Sequence, residues 1–282
     1  MYVSREELIN VFLDTKAHAS KDEVLINSIC NSVTYSKVYP ENELLSFDPI
    51  NKSGVVTISK YRSIEAAEVL HKQCPNKKIA VLNFANAYHP GGGVESGSKA
   101  QEEAICRVST LFFCLTSEKL LKEYYFYNKK HYTPLASDRL IYTPNVTIFK
   151  KDVDLPYILK EKDYFDVDII TCAAPNLRSN DSSILSIAVK GADIDDKELY
   201  KIHYSRAEHI LVSAIDNKVE ILVLGAFGCG AFQNNPYVVA TAYRDVLNKY
   251  RYYFDEIHFA VYAREFESAN YDAFKEIIKT LS

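Results

Sequence analysis

The sequence predicts an α/β fold in which helices cover both faces of one sheet. Continuous apolar runs of strand length occupy residues 79–84, 167–172 and 220–225, and such runs are typical of strands that are buried on both faces. Segments with the helical spacing of apolar residues separate these runs. Strands that alternate with helices indicate a sheet with helices packed against it.

The individual elements follow from capping residues and from the periodicity of apolar residues. Ser4 and Glu7 have capping-box spacing before an apolar helical face, so a first helix is predicted to run to about residue 16. Residues 20–54 are mixed in composition and are predicted to be a loop-rich extension. The later predicted elements are a strand at 55–60, a helix at 64–73, a strand at 79–84, a helix from Gln101 through Leu115, two short extended pieces around a proline turn at 140–151, a strand at 167–172, a helix around 207–214, a strand at 220–225, a helix capped by Asn235 and Pro236, a strand at 256–262 and a helix around 274–281.

The chain is expected to form one structural unit. Its 282 residues contain no internal repeat, low-complexity segment or linker, and this length is enough for a sizeable core. Residues 1–54 are predicted to be an N-terminal helical extension that packs on a domain formed by residues 55–282.

Composition limits the classes of function. A net charge of −4 provides no overall attraction to nucleic acid, so local groups would have to hold an anionic ligand. The sequence has no secretory signal and no apolar run long enough to span a bilayer, and we expect a cytoplasmic protein. The six cysteines include no C-x-x-C pair, which favours reduced, buried thiols over disulfides or a zinc site.

In α/β sheets, ligands bind beyond the carboxyl ends of the strands. The loops at residues 85–100, 173–190 and 225–235 follow predicted strands and are therefore the candidate sites.

The first loop lies in the stretch NFANAYHPGGGVESGSKAQEEAICR, which places three glycines near two adjacent glutamates. Glycines allow a backbone to approach a ligand closely. Acids such as Glu102 and Glu103 are common at a helix start because they complement the helix dipole, but adjacent carboxylates resist being ionised together. Since neighbouring helical side chains point about 100° apart, one carboxylate can hold a sugar hydroxyl while the other faces a scissile oxygen.

The second glycine-rich loop has the sequence LGAFGCGAF and precedes a helix that starts at Pro236. Backbone N–H groups in such turns form anion-binding nests, and the start of a helix adds a positive dipole. The first loop does not match the dinucleotide fingerprint, and neither loop matches the P-loop. Two nests at neighbouring strand ends suit the pyrophosphate of a nucleoside diphosphate.

Together, these segments resemble the microbial-type poly(ADP-ribose) glycohydrolases, a branch of the macrodomain superfamily. The family carries a glycine triplet followed closely by Gln-Glu-Glu, and here seven residues separate Gly93 from Gln101. The blocks TCAAPNL and LGAFGCGAFQNNP resemble later blocks of the family, in the same order, and Arg206 also resembles a family position. The resemblance covers most of the chain, and it implies a three-layer α/β/α macrodomain-like mixed sheet whose catalytic domain is residues 55–282.

The resemblance implies roles for the site residues. Asn86 would contact the distal ribose of ADP-ribose, the two loops would bind its pyrophosphate, and Phe227 would cover the region of the ribose and phosphate. Glu102 would hydrogen-bond the ribose hydroxyls. Glu103 would protonate the departing oxygen and then activate water, so Glu103 must be protonated near neutral pH. The implied substrate-binding residues are Asn86, Gly91, Gly92, Gly93, Val94, Gln101, Gly225, Ala226, Phe227, Gly228, Cys229, Gly230, Ala231 and Phe232.

Three residues depart from the family pattern. Val94 stands where an aromatic residue is common, His89 is not typical before the proline, and Phe227 stands where tryptophan is frequent. These departures concern substrate preference more than the reaction itself.

The expected function is cleavage of ribose–ribose O-glycosidic bonds in poly(ADP-ribose), with release of ADP-ribose and without a metal or another cofactor. The expected partners are poly(ADP-ribose) or ADP-ribosylated protein, and we expect a monomer. One alternative is a macrodomain that binds ADP-ribose without cleaving it, although such a protein needs no general acid. A hydrolase of mono-ADP-ribosylated protein or nucleic acid is a further alternative.

The run KEYYFYNKKHY, at residues 122–132, mixes bases with aromatic residues. This composition is compatible with nucleic-acid contacts. The interpretation that we favour is a solvated helix edge whose tyrosines pack against the sheet.

Overall fold

A sheet of seven strands forms the middle layer of the protein. The computed structural model describes residues 3–41, 43, 45–178, 191–264, 266 and 268–281. The strands are β1 (Lys37–Tyr39), β2 (Val55–Ser59), β3 (Ile79–Ala85), β4 (Leu140–Ile148), β5 (Phe165–Ala173), β6 (Ile221–Leu224) and β7 (Glu256–Ala260). Their order across the sheet is β1-β4-β5-β3-β6-β7-β2. The pairs β1–β4 and β4–β5 are antiparallel, and all later neighbours are parallel.

Helices cover both faces of this sheet. They are α1 (Arg5–Ala19), α2 (Glu23–Tyr35), α3 (Ser63–Gln73), α4 (Gln101–Val108), α5 (Leu111–Leu115), α6 (Glu118–Leu120), α7 (Phe126–Lys130), α8 (Asp196–Asp216), α9 (Pro236–Tyr250) and α10 (Ala269–Ile278), with a π-helical turn at Leu121–Tyr125 between α6 and α7. One buried apolar cluster joins the sheet to α8, α9 and α10, and a second joins the opposite face to α3, α4 and α5. The predicted three-layer α/β/α mixed sheet is confirmed.

The capping residues explain why two helices begin where the sequence predicts. The hydroxyl of Ser4 accepts a hydrogen bond from the Glu7 N–H, and the Glu7 carboxylate accepts one from the Ser4 N–H. At α9, the Asn235 side chain accepts from the Tyr237 N–H, and Pro236 occupies the first helical position.

The prediction of a loop-rich segment at residues 20–54 was wrong for its first half. Asp22 caps α2, because its carboxylate accepts hydrogen bonds from the N–H groups of Val24 and Leu25. After α2, β1 pairs antiparallel with β4 and forms one edge of the sheet. Neither element was predicted, because the composition of this segment is mixed and α2 buries little of its surface.

Two further elements differ from the prediction in their boundaries. Residues 140–151 contain one strand, β4, rather than two pieces, because a bulge between Thr143 and Val146 absorbs the proline between them. The helix predicted from Gln101 through Leu115 is divided into α4 and α5 at Ser109 and Thr110. The Thr110 N–H donates to the Thr147 carbonyl instead of continuing the helix.

The parallel strands bring their carboxyl ends to one edge of the sheet, where the predicted loops also lie. Residues 179–190 of the loop after β5 lie outside the described residues. None of the described helices is long and apolar enough to cross a membrane. All six cysteines are free. Cys106, Cys114 and Cys172 are buried as predicted, whereas Cys30 is exposed and Cys74 and Cys229 are half-buried.

Candidate active site

A cleft of about 570 Å³ opens at the carboxyl ends of the strands. It is bounded by the loop after β3, the start of α4 and the loop after β6. Ten of the predicted site residues line it: Asn86, Gly92, Gln101, Glu102, Glu103, Ala226, Gly228, Gly230, Ala231 and Phe232. Six others do not: Gly91, Gly93, Val94, Gly225, Phe227 and Cys229.

Glu102 is buried at the first turn of α4 and is held by groups from β3 and its loop. Its Oε2 accepts a hydrogen bond from the Asn86 N–H at 2.8 Å, and its Oε1 lies 3.4 Å from the Asn83 Nδ2. Burial raises the pKa of Glu102 to about 8, and the adjacent charge of Glu103 acts in the same direction. The hydrogen bond from Asn86 opposes this rise. Glu102 therefore retains a proton at neutral pH.

Glu103 is also buried and lines the cleft beside Glu102. Its Oε1 accepts a hydrogen bond from the Gly93 N–H at 2.8 Å. Its Oε2 has no hydrogen-bond partner among the described residues. Buried polar atoms are usually paired, since an unpaired one costs about 1–3 kcal/mol. The free oxygen thus marks a place where a ligand can form the missing bond.

The glycine triplet is packed directly against these carboxylates. A Cβ at Gly92 would lie 2.5 Å from the Glu103 Oε1 and 3.0 Å from the Glu102 Oε2. The backbone of Gly92 also has φ +56°, a conformation that favours glycine. The need for glycine at this position is therefore explained by the two glutamates, which occupy the space of the missing side chain.

The loop after β6 is fixed to the loop after β5 by Asn234. The Asn234 Nδ2 donates to the Pro175 carbonyl at 2.8 Å, and its N–H donates to the Gly228 carbonyl at 3.1 Å. Its Oδ1 lies 2.6 Å from the Nε2 of His203. Burial lowers the pKa of His203 to about 3, so the imidazole is neutral and its Nε2–H donates this bond.

The two central glycines of this loop differ in what surrounds them. Gly228 has φ +78°, and a Cβ there would lie 2.7 Å from the Cβ of Ala174. A Cβ at Gly230 would meet nothing within 4 Å. Gly228 is therefore required by the turn, whereas Gly230 faces open space at the cleft.

The structure corrects the role implied for the Phe227 side chain. Phe227 is fully buried, and its ring centroid lies 5.7 Å from that of Phe84 and 5.7 Å from that of His203. A ring in this position belongs to the core and does not cover a ligand in the cleft. Val94 is likewise buried in the core, on the α4 side of the sheet.

Arg206 does not line the cleft but fixes the segments around it. Its Nη1 donates to the carbonyl of Ala173 at 2.7 Å, and its Nε contacts the carboxylate of Asp138 at 3.1 Å. Arg206 thus joins the end of β5 to the segment that precedes β4.

Several charged residues at the cleft were missed by the sequence predictions. Arg107 lies one helical turn after Glu103 and has a buried Nη1 without a partner among the described residues. Arg62 contacts the Asp152 carboxylate at 3.6 Å and stacks on the ring of Tyr262 at 4.8 Å. Burial raises the pKa of Asp152 to about 6, an effect that Arg62 opposes.

Among these charged residues, only Arg107 could have been found from a sequence pattern. Arg107 has the i, i+4 spacing from Glu103 that places both on one helical face. Arg62 and Tyr262 follow the carboxyl ends of β2 and β7, two strands whose loops were not among the predicted sites. Asp152 reaches the cleft from an irregular segment after β4, and no sequence pattern indicated it.

No group of three or more potential metal ligands occurs within the described part of the chain. The chemistry available in the cleft is that of a buried carboxyl pair, backbone N–H groups and a few charged side chains.

Comparison with known proteins identifies the family to which the chain belongs. The family model described as the microbial-type PARG catalytic domain matches residues 8–151. That segment includes the glycine triplet and the Gln-Glu-Glu sequence. Among curated proteins, none matches the sequence of this chain.

Three solved structures that resemble the chain are of poly(ADP-ribose) glycohydrolases. Poly(ADP-ribose) glycohydrolase from Thermomonospora curvata is 25% identical and has a TM-score of 0.78, over 96% of this chain and 99% of that one. The same enzyme bound to the inhibitor ADP-HPD gives 25% identity and a TM-score of 0.77, over 96% and 99% of the two chains. Poly(ADP-ribose) glycohydrolase from Deinococcus radiodurans in complex with ADP-ribose is 27% identical with a TM-score of 0.73, over 90% and 98%. From its family match, its fold and its site, we conclude that the chain belongs to the microbial-type PARG catalytic-domain family.

Proposed function

We propose that this protein hydrolyses ribose–ribose O-glycosidic bonds in poly(ADP-ribose) and releases ADP-ribose. The observation that carries the proposal is the buried Glu102–Glu103 pair at the cleft, in which Glu103 keeps one oxygen without a partner. A protein that only binds ADP-ribose has no need for a carboxyl group arranged in this way. The solved relatives bind ADP-ribose and the inhibitor ADP-HPD, which supports the choice of ligand.

The proposed position of ADP-ribose follows from the two loops. The pyrophosphate lies against the loop after β6, where Gly230 leaves open space beside the backbone. The distal ribose lies at Asn86 and the carboxyl pair. Glu102 then orients the ribose through its hydroxyls, and Glu103 faces the bond that breaks.

Cleavage proceeds by acid catalysis followed by attack of water. The Oε2 of Glu103 donates a proton to the departing ribose oxygen while the glycosidic bond breaks, and an oxocarbenium-like positive charge develops at the distal ribose. The diphosphate and the carboxylate that remains stabilise this charge. Glu103 then accepts a proton from water as the water oxygen bonds to the anomeric carbon, so that one water is consumed for each ADP-ribose released.

The environment of the pair suits this acid role. Two adjacent carboxylates in a buried site resist being ionised together. Burial raises the pKa of Glu102 to about 8, so the free protein holds one proton of the pair on Glu102, and the proposed acid step requires this proton to move to the Glu103 Oε2 when substrate is bound. Turnover should therefore decline as the pH rises through about 8 and the pair loses this proton.

The N-terminal extension contributes to the proposed catalytic unit. Val3 and Leu8 line the cleft together with residues of the catalytic loops. Thr15 of α1 donates a hydrogen bond from its hydroxyl to the Arg107 carbonyl at 2.6 Å. These contacts support the prediction that residues 1–54 pack on the domain formed by residues 55–282 as part of one structural unit.

Replacement of Glu103 by glutamine tests the proposed acid. Glu103→Gln retains the size of the side chain but cannot donate the carboxyl proton, and general acid–base assistance contributes about 10²–10⁴-fold. We expect turnover of poly(ADP-ribose) to fall by roughly this factor, while the affinity for ADP-ribose stays within about three-fold. Release of ADP-ribose measured by chromatography and binding measured by calorimetry provide the two readouts.

The matched control is Glu95→Gln, an exposed glutamate in the same loop. It should retain full turnover. Near-normal turnover by Glu103→Gln would remove Glu103 from the mechanism. Release of ADP-ribose from mono-ADP-ribosylated protein but not from the polymer would instead favour the mono-ADP-ribosyl hydrolase.

A further inference from the structure

An exposed basic and aromatic surface is connected to the cleft residue Asn86 through Tyr88. It consists of Lys122, Phe126, Lys129, Lys130 and Tyr132, and we call it the lysine–aromatic surface. The Tyr132 ring packs on Tyr88 with a centroid distance of 4.9 Å. The Tyr88 N–H in turn donates to the Asn86 Oδ1 at 2.9 Å. The surface therefore begins next to the residue proposed to contact the distal ribose.

The residues of the run at 122–132 are divided between core and solvent. Tyr124 and Tyr125 are fully buried, which agrees with the tyrosine packing favoured by the sequence analysis. In contrast, Phe126 is 54% exposed and Tyr132 is 49% exposed. Large aromatic side chains left in solvent are not explained by core packing.

The charge of the surface is opposite to that of the protein. The lysines of the surface are exposed, and none of them forms an ion pair with an acid in the described ranges of the chain. The Nζ of Lys129 lies 5.9 Å from the ring centroid of Phe126. Within residues 122–132 the only acid is Glu123, although the whole chain has a net charge of −4. A local excess of positive charge of this kind attracts a polyanion.

We propose that the lysine–aromatic surface binds the part of the poly(ADP-ribose) chain that departs as the leaving group when the scissile bond breaks. The proposal rests on the proposed function, because it follows the polymer beyond the ribose that is cleaved. Each unit past that ribose carries an adenine and a pyrophosphate. Exposed aromatic rings can stack on the bases, and the lysines can neutralise the phosphates. The surface would thereby favour polymer over substrates with small leaving groups.

The test compares two double variants with the same change in charge. Lys129→Ala/Lys130→Ala removes two lysines from the surface. The control, Lys160→Ala/Lys162→Ala, removes two exposed lysines that precede β5, at the opposite end of that strand from the cleft. Each protein is assayed with long poly(ADP-ribose) and with an ADP-ribosyl glycoside that has a small aryl leaving group.

We expect Lys129→Ala/Lys130→Ala to lower kcat/KM for the polymer by about five-fold, with a weaker dependence on salt, and to leave kcat/KM for the aryl glycoside unchanged. Phe126→Ala should lower kcat/KM for the polymer by about five-fold or more and leave kcat/KM for the aryl glycoside unchanged. The control should match the wild-type protein on both substrates. Equal values for the two double variants on the polymer would overturn the proposal.

A binding measurement separates this inference from the proposed function. With Glu103→Gln as the background, fluorescence anisotropy compares labelled poly(ADP-ribose) with ADP-ribose. The polymer should bind more tightly, and Lys129→Ala/Lys130→Ala should remove most of the difference. If the wild-type protein releases no ADP-ribose, the proposed function fails, yet this binding difference still tests the surface. Loss of affinity for a single-stranded oligonucleotide, with polymer binding unchanged, would assign the surface to a nucleic-acid acceptor and refute our inference.

Discussion

Replacing Glu102 by glutamine should change how the stability of the protein depends on pH. Burial raises the pKa of Glu102 from 4.5 to about 8 in the folded protein. Because the folded state holds this proton more tightly than the unfolded state, its contribution to stability is fully present below about pH 4.5 and is lost as the pH rises toward 8. A glutamine at this position is uncharged at every pH and removes the effect.

The size of the change follows from the interval between the two pKa values. From pH 4.5 to pH 7 the interval is 2.5 pH units, and at about 1.4 kcal/mol per unit, reduced slightly because the unfolded carboxyl is already half ionised at pH 4.5, the loss for the wild-type protein is about 3 kcal/mol. Glu102→Gln should therefore gain about 3 kcal/mol in unfolding free energy, relative to the wild-type protein, over this range. The Asn86 N–H can still donate to the glutamine Oε1, so the packing of the loop is expected to persist.

Urea unfolding followed by circular dichroism at pH 4.5, 5.5, 7 and 8 measures this difference. Titrating groups that do not interact with Glu102 affect both proteins equally and cancel in the comparison. The exposed Glu161→Gln serves as the control and should show a constant difference from the wild-type protein. If the difference in unfolding free energy between Glu102→Gln and the wild-type protein is also independent of pH, burial does not keep Glu102 protonated.

The remaining predictions concern the glycines and the absence of a metal requirement. Gly230→Ala should weaken ADP-ribose binding, measured by calorimetry, and leave the melting temperature of the free protein within about 2 °C, because its Cβ meets no atom within 4 Å. Gly228→Ala should instead lower the melting temperature by several degrees, since it combines φ +78° with a Cβ 2.7 Å from Ala174, and equal melting temperatures for the two variants would contradict this distinction. Exhaustive chelation should leave hydrolysis intact, and ADP-ribose should inhibit the reaction as a competing product. Activity that is lost with chelator and restored by a divalent ion would overturn the metal-free mechanism.

Most strands and most helices could be predicted from the sequence because local features determine them. The buried strands β3, β5 and β6 have continuous apolar runs, and the capping residues Ser4 and Asn235 identify the start of two helices. In contrast, α2 and β1 depend on contacts with distant parts of the chain, notably the pairing of β1 with β4. Such tertiary contacts leave little periodicity in the local sequence.

The site was predictable to the extent that its chemistry lies in contiguous motifs. The glutamate pair and both glycine loops were identified from short sequence stretches, and the structure brings them to one cleft. What could not be predicted was the direction in which each side chain points. Phe227 stands in the right loop but faces the core, and Asp152 reaches the cleft from a segment without a motif.

The contact between Gly92 and the two glutamates limits the order in which these residues can be replaced during evolution. Since the carboxylates occupy the space of the missing side chain, an alanine at Gly92 would displace the groups proposed to act on the substrate. The reverse order of change is less constrained, because shortening Glu103 to alanine frees much of this space. Loss of the acid would remove this close contact but not the φ of +56°, which still favours glycine at Gly92. A protein that keeps Glu103 must therefore keep Gly92, whereas a protein that keeps Gly92 need not keep Glu103.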